Sequence, residues 1–345
     1  MIPPAEPFRQ ILPDLAAYRR EFLSAGVTLP LPTVPWRAEG LLAALPPPPA
    51  GRRGWPWTTQ TEPFATPSDD WPQITIATPS YQQGDYLEEN LRSVLLQNYP
   101  RLEFVVMDGG STDASPAVID RYRPWLSYAQ TARDRGQAHA INLGFSLAAG
   151  DVFGWLNSDD FLLPGALRRV AQAWRSGAEF IYGDGLKLDQ VSGRRHYVVA
   201  NYAHPRYVKF PELVLQHSTF WSAARHRPIW EEQQCALDYE LWIRLLPGLR
   251  VRHVRCALAV ARQHAEAKTY NPTMKLRWTE DSERNGLAHP TLYRRRPWLD
   301  REYRLVQRVA RGWRARGVAA RCERLRRECG WDETVSSTLW IPPHI

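Results

Sequence analysis

At 345 residues, with 44% hydrophobic residues and 15 Trp, 14 Tyr and 10 Phe, the chain can bury a sizeable core in one extended domain or two smaller ones. No window reaches the roughly 18 uninterrupted apolar residues of a membrane span. The opening MIPPAEPFRQ lacks a secretory pattern, and Cys235, Cys256, Cys322 and Cys329 form no CxxC pair. These features disfavour a disulfide frame or a zinc site and lead to the expectation of a soluble, cytoplasmic protein. The net charge of +8 gathers near the C-terminus: residues 294–327 carry thirteen Arg, and set against Asp300, Glu302, Glu323 and the adjoining Glu328 the local balance is +9. Such a segment points to an acidic partner.

Residues 1–70 hold 14 of the 29 prolines, including Pro46-Pro47-Pro48-Pro49. That composition forbids long regular elements beyond one short helix over 13–26, with Leu15, Tyr18 and Phe22 on a face. Trp36, Trp55, Trp57 and Phe64 argue against plain disorder, so the segment is expected as an arm lying across the main domain. Regular patterning begins at Ile74. QITIATPSY predicts a strand turning at Pro79-Ser80, and Tyr86, Leu87, Leu91, Val94 and Leu95 have helical spacing. LEFVVMD predicts a second strand ending at Asp108, followed by two glycines and a helix. WLSYAQT (125–131) reads as a third strand, 136–150 as a helix closed by Gly150, and VFGWLN as a fourth strand. This alternation means right-handed βαβ units and a mostly parallel α/β sheet flanked by helices. Further on come a strand over 178–184 ending in Asp184, a hairpin turning at Ser192-Gly193, a strand over 213–223, a helix over 236–248 and a strand in VRHVRCALAVAR. Beyond about 270 the chain reads as helical and basic.

The stretch VFGWLNSDDFLLP (152–164) carries the sharpest chemical signal. Adjacent carboxylates at the end of a buried strand are costly unless a cation neutralises them, and a metal-diphosphate complex is a natural occupant. The competing reading is that Asp159 and Asp160 cap the helix after Pro164. In parallel sheets ligands sit outside the carboxyl ends of the strands. Four successive strand ends bring Ser80 and Tyr81, then Asp108, then Asp134, then Asn157 with Asp159 and Asp160 to one rim. No GxGxxG follows the first strand, which disfavours dinucleotide binding.

PSYQQGDYLEENLRSVLLQNYP, VMDGGSTD, RDRGQAHAINLGF and GWLNSDD occur in the order seen in glycosyltransferase family 2, and the chain resembles that family from about Ile74 to Thr269. The resemblance implies a GT-A fold and an inverting transferase that uses a nucleotide-diphosphate sugar, UDP-linked by preference, with Mn²⁺ or Mg²⁺. It divides the chain into an arm (1–70), a GT-A domain (71–270, with a nucleotide-sugar half to 164 and an acceptor half from 165) and a basic helical extension (271–345). It implies that Pro79, Ser80 and Tyr81 wrap the base, that Asp108 faces the uracil or ribose, that Asp134 and Gln137 close the pocket, and that Asn142 packs behind it. Asn157-Ser158-Asp159 stands at the DXD position, with Asp159 and Asp160 as metal ligands; Asn in the first place departs from the family pattern by one charge. Asp238 resembles the catalytic base, with Glu240 in support, and His264 stands where relatives place a late His near the metal, with Lys268 and Thr269 as helpers.

Other readings stay open on the acceptor side. Asp184 could face the acceptor or be a turn acid; Trp221 and Trp242 could stack on sugar rings or pack the core. Gln216 and His217 are weak candidates for the acceptor wall. In the tail, Leu305, Val309 and Trp313 lie four apart among Arg. This pattern suits either peripheral contact with an anionic membrane at its inner face, through residues 294–327, or a helix packed on the domain. Nucleic acid is not an expected partner, since no reading module accompanies the charge. The acceptor is expected to be a hydroxyl on a glycan, a lipid-linked sugar or a protein. The rival to transfer is a non-catalytic sugar-nucleotide-binding or scaffold protein.

Overall fold

The structure, a computed structural model, describes residues 8–64, 70–210, 213–268, 271–294, 296–332 and 335–337. After helix α1 (Leu15–Ser24), the described residues of the arm form no further helix or strand before β1 (Ile74–Ser80). There follow α2 (Gly84–Leu95), β2 (Leu102–Asp108), α3 (Ser115–Tyr122), β3 (Tyr128–Thr131), α4 (Gln137–Leu147), β4 (Val152–Trp155) and β5 (Phe161–Leu162). The second half comprises α5 (Ala166–Arg175), β6 (Phe180–Asp189), β7 (Arg195–Val198), β8 (Thr219–Ser222), α6 (Leu237–Leu245) and β9 (Val251–Gln263). Helices α7 (Lys275–Ala288), α8 (Pro290–Tyr293), α9 (Pro297–Arg314) and α10 (Val318–Cys329) and strand β10 (Val335–Ser336) complete the described elements.

The strands form one sheet in the order β10-β7-β6-β8-β4-β1-β2-β3, with β9 beside β6 and β5 beside β9. β1 pairs in parallel with β2 and β4, and β2 with β3, as the βαβ alternation requires. Every residue of β1 and β2 is buried, which suits their continuous apolar and β-branched sequences. The other half is mixed: β8 runs antiparallel to both β4 and β6, and β7 to β6. The sheet is thus parallel from β1 to β4 and mixed beyond, where β6 runs parallel to β9 and turns back into β7 through a hairpin. The strand expected over 213–223 shortens to β8, with a 3₁₀ turn at Gln216–Ser218 before it.

The arm is part of the core. Val34, Leu41, Leu45, Trp55 and Phe64 are buried in the same apolar cluster as Ile74, Leu91 and Phe104. Prolines supply carbonyls without N–H groups, and buried carbonyls need donors. Arg92 on α2 meets that need: its buried guanidinium donates to the carbonyls of Pro46, Pro56 and Trp57 at 2.7, 3.0 and 2.8 Å and to Tyr122 Oη at 3.0 Å. The C-terminal helices are also integral. Val318, Cys322, Leu325 and Cys329 join the same cluster, and Trp55 N–H donates to Cys329 O.

Candidate functional site

The rim forms where β1, β2 and β4 end side by side, with Ser80 paired to Asp108 in register. Pro79 is buried within β1, while Tyr81, just beyond it, is 61% exposed. Ser80 is buried and its Oγ has no hydrogen-bond partner among the described residues. Asp108 is 1% exposed and organises its own turn, accepting from Ser111 N–H at 2.9 Å and Ser111 Oγ at 2.6 Å. The two glycines after it have distinct reasons to be glycine. Gly110 sits at φ +83°, and a Cβ on Gly109 would meet Asp134 Oδ2 at 2.9 Å. Asp134 is thereby brought beside Asp108. Burial pushes its carboxyl above the ordinary range, and the negative Asp108 adds to that, although Gly136 N–H donates to it at 2.7 Å.

From β4 the backbone turns through Asn157-Ser158-Asp159-Asp160, and Asn90 on α2 holds that turn by donating to the carbonyls of Asn157 and Asp160. The two acids differ. Asp160 is 6% exposed and accepts Arg262 N–H at 3.0 Å; burial, then the charge of Asp159, push its carboxyl well up. Asp159 keeps part of its side chain in solvent, and its Oδ2 lies 3.1 Å from His264 Nε2. His264 follows directly on β9, and its ring rests against Tyr86 at 4.8 Å. Among the described residues no group of three or more His, Cys, Asp or Glu is placed to hold a metal ion. One carboxylate oxygen and one imidazole nitrogen still fit a divalent cation whose other ligands are phosphate oxygens and water. In this donor set Asp159 and His264 face each other, while the Asp160 Oδ1 is taken by the Arg262 amide.

A polar chain links this turn to the candidate base. Asn157 Nδ2 lies 3.4 Å from Gln216 Oε1, and Asn157 Oδ1 accepts from Gln137 Nε2 at 2.8 Å. Gln137 Oε1 in turn accepts from Lys268 Nζ at 2.8 Å, and Lys268 also donates to Gln234 O at 2.8 Å. Gln234, Cys235 and Ala236 lead into the first turn of α6, where half-buried Asp238 sits. Their three N–H groups all donate to Asp281 Oδ2 of α7, at 2.8, 2.7 and 3.1 Å. Ser158 lies buried in the β4 turn, and Asn142 bonds both N–H and C=O of Ile229 behind α4. Thr269 lies outside the described residues.

Of the acceptor-side candidates, Gln216 and Lys268 join that chain, while Asp184, Trp221, Trp242, Glu240 and His217 are buried. Asp184 is not a strand end: β6 continues to Asp189, and Asp184 sits at an irregularity in its pairing with β9. It is fully buried and bonded to Tyr197 Oη, Ala200 N–H and His253 Nε2, which leaves the core rather than an acceptor as its partner. Trp221 is 0% exposed and packs against Trp155 and Trp242, the packing alternative for both tryptophans. Glu240 is also 0% exposed. Burial works to raise its pKa, but bonds from His289, Arg244 and Gln10 outweigh that and hold its carboxyl below the ordinary range. His217 is buried, and burial takes its imidazole down to about 3. Sequence reasoning missed Asn90, Arg262 and Asp281. Arg262 alternates with His264 along the end of β9, a period-two signal that could have flagged it.

Comparison with known proteins bears on the family of the chain. Residues 75–232 match the family model described as glycosyl transferase family 2. An uncharacterized glycosyltransferase of Nostoc sp. is 30% identical over 136 residues, covering 35% of this chain and 41% of that protein. A Campylobacter jejuni GalNAc(5)-diNAcBac-PP-undecaprenol beta-1,3-glucosyltransferase is 23% identical over 172 residues, covering 43% and 55%. The match thus spans about half or less of these curated relatives' length. Among solved structures, a Pyrobaculum calidifontis mannosyltransferase in complex with GDP-Man and Mn²⁺ is 17% identical, covering 89% of this chain and 86% of that one, with a TM-score of 0.46. The ordered motifs and the family match together show that residues 75–232, a little under half of the chain, are similar to glycosyltransferase family 2.

Proposed function

We propose that the chain is a metal-dependent inverting glycosyltransferase that moves a sugar from a nucleotide-diphosphate donor, a UDP-sugar by preference, to a hydroxyl acceptor in polysaccharide, glycolipid or glycoprotein assembly. The observation that carries this reading is the approach of Asp159 Oδ2 to His264 Nε2 at the rim where β2 ends in Asp108 and the loop after β3 brings Asp134 against Gly109. Pro79, Ser80, Tyr81 and Asp108 would hold base and ribose, Ser80 with an Oγ left to bond a ligand. Asp134, Gln137, Asn157 and Ser158 would close the pocket. Asp159 and His264, backed by Asp160, would hold Mn²⁺ or Mg²⁺; bound there, the cation neutralises the departing diphosphate.

Asp238 would remove the proton of the acceptor hydroxyl as that oxygen attacks the anomeric carbon opposite the diphosphate. Lys268 would keep the nucleotide side and the α6 turn in register through its bonds to Gln137 and Gln234. The undecaprenol-linked substrate in the name of the Campylobacter relative supports a lipid-linked acceptor. A cytoplasmic location with contact to an anionic membrane through residues 294–327 belongs to the same reading, and no described helix is long and apolar enough to cross a membrane.

The test is Asp238→Asn. Sugar transfer should fall by on the order of 10²-fold or more, while UDP affinity stays near that of the parent. Full turnover in the variant would remove Asp238 from the role of base. One observation favours nucleotide binding without turnover: Asn157 in place of the first DXD acid is already bonded to Gln137 and Gln216. Metal-dependent UDP binding with no hydrolysis or transfer to any acceptor would support that alternative.

A further inference from the structure

Helix α9 has two faces of opposite character. Leu299, Tyr303, Gln307 and Arg314 are buried; Tyr303 stacks on Phe210 at 3.9 Å, and Gln307 bonds both backbone groups of Tyr202. This face fixes the helix to the 199–210 segment of the domain. On the other side Trp298, Leu305, Val309 and Trp313 are 54, 61, 65 and 53% exposed. Spacings of seven and four residues keep them on one helical stripe, which at about 1.5 Å per residue runs for roughly 22 Å. Leu305 and Val309 therefore face away from the domain, which a different face of the helix meets.

The frame around the stripe is cationic. Arg301, Arg304 and Arg308 are exposed on the same helix, and Arg316 just beyond it. The two acids of α9 are engaged from the domain side: Asp300 pairs with Lys209 at 2.7 Å, and Glu302 with Arg206 at 2.7 Å and Tyr207 Oη at 2.8 Å. Each tryptophan carries a domain guanidinium over its ring, Arg206 at 5.2 Å from Trp298 and Arg255 at 4.1 Å from Trp313. Aromatic rings at both ends, aliphatic side chains between them and arginines alongside are what the interface of an anionic bilayer accommodates. A second copy of the same face would bring arginines against arginines, which disfavours self-pairing. An anionic glycan would leave Leu305 and Val309 without an apolar partner.

We propose that the outer face of α9, through Trp298, Leu305, Val309 and Trp313 with Arg301, Arg304 and Arg308, docks the protein in the plane of an anionic lipid surface. It fixes which face of the basic segment meets the membrane, and it requires no catalytic step. The docked helix connects to the candidate base through the domain, since Lys209 pairs with Asp300 while its carbonyl accepts from Tyr239 Oη, the neighbour of Asp238.

The full chain is floated with vesicles of phosphatidylcholine alone and of phosphatidylcholine mixed with phosphatidylglycerol. Binding to the mixed vesicles, weakened by salt and absent with phosphatidylcholine alone, is expected. The double variant Leu305→Glu/Val309→Glu should lose binding by at least about tenfold with its melting temperature and UDP affinity unchanged, and Arg304→Ala/Arg308→Ala should lose several-fold. Three results would overturn the proposal. One is no binding of the parent to mixed vesicles at low salt. Another is undiminished binding by the folded Leu305→Glu/Val309→Glu variant. The third is a dimer of the parent that this variant converts to monomer, which would make the face an interface between copies. UDP titration of the same samples reads the transferase site independently, so failure of one reading leaves the other standing.

Discussion

Asp159 and Asp160 are neighbours in sequence with different physical situations. Asp160 is buried, its Oδ1 on the Arg262 amide, and its carboxyl is pushed up by burial. Asp159 is partly solvated and meets His264. Changing Asp159 to Ala should therefore remove metal-dependent nucleotide binding with little loss of stability, whereas Asp160→Ala strips a partner from a buried amide and should cost about 1–3 kcal/mol, measured by urea unfolding. Glu240 makes a pH-dependent contribution of definite sign. Its folded-state pKa lies below the ordinary carboxylate value, so its stabilisation is complete above that value, about 4.3, and is lost as pH falls through the lower folded-state value. Glu240→Gln should flatten the dependence of melting temperature on pH in the acid range; an unchanged slope would show that the His289 and Arg244 bonds carry no net charge effect. The rim acids were legible in the sequence because a carboxylate closing an apolar strand is costly without a reason. The loss of Asp184 to the core was not, since an acid at a bulge inside a longer strand looks the same in sequence as one at its end.

At the scale of elements, the start of α6 depends on α7. Three consecutive N–H groups converge on Asp281 Oδ2, and Arg284 pairs with the same carboxylate at 3.2 Å. A carboxylate from another helix thus fixes the backbone just ahead of α6, and with it the turn that carries Asp238. Asp281→Asn keeps the size but weakens charge-assisted bonds that are roughly twice as strong as neutral ones. We expect kcat to fall several-fold with UDP affinity intact, and a variant with parental kcat would show that the Asp238 turn holds its position unaided. Sequence periodicity finds α6 and α7 separately, but Asp281 and Ala236 are distant in the chain, and no local pattern announces their bond. The alternation from β1 to β4 was legible because each βα unit repeats one hydrophobic rhythm. β8 was not, because its short pairing replaces a predicted longer strand only through its neighbours β4 and β6.

At the scale of the whole molecule, both ends of the chain close one core. The arm gives it Trp55 and Phe64, the C-terminal helices give it Leu325 and Cys329, and the two meet where Trp55 N–H bonds Cys329 O. Composition alone portrays a proline-rich arm and an arginine-rich tail as appendages; the sparse apolar residues in each are the part that decides their packing. Leu325→Ala should cost about 2–5 kcal/mol as a buried large-to-small change, and ending the chain at residue 293 should abolish cooperative unfolding; a truncated chain that melts cooperatively would show the helices to be dispensable. The rim is expected to bind a nucleotide diphosphate through a metal. The most direct measurement is calorimetric titration of the full chain with UDP, GDP and dTDP, each with and without Mn²⁺, repeated on Asp159→Ala. We predict that one of these nucleotides, UDP by preference, binds only with the metal and that the variant loses that binding. Folded protein that binds none of the three, with or without Mn²⁺, would contradict the account.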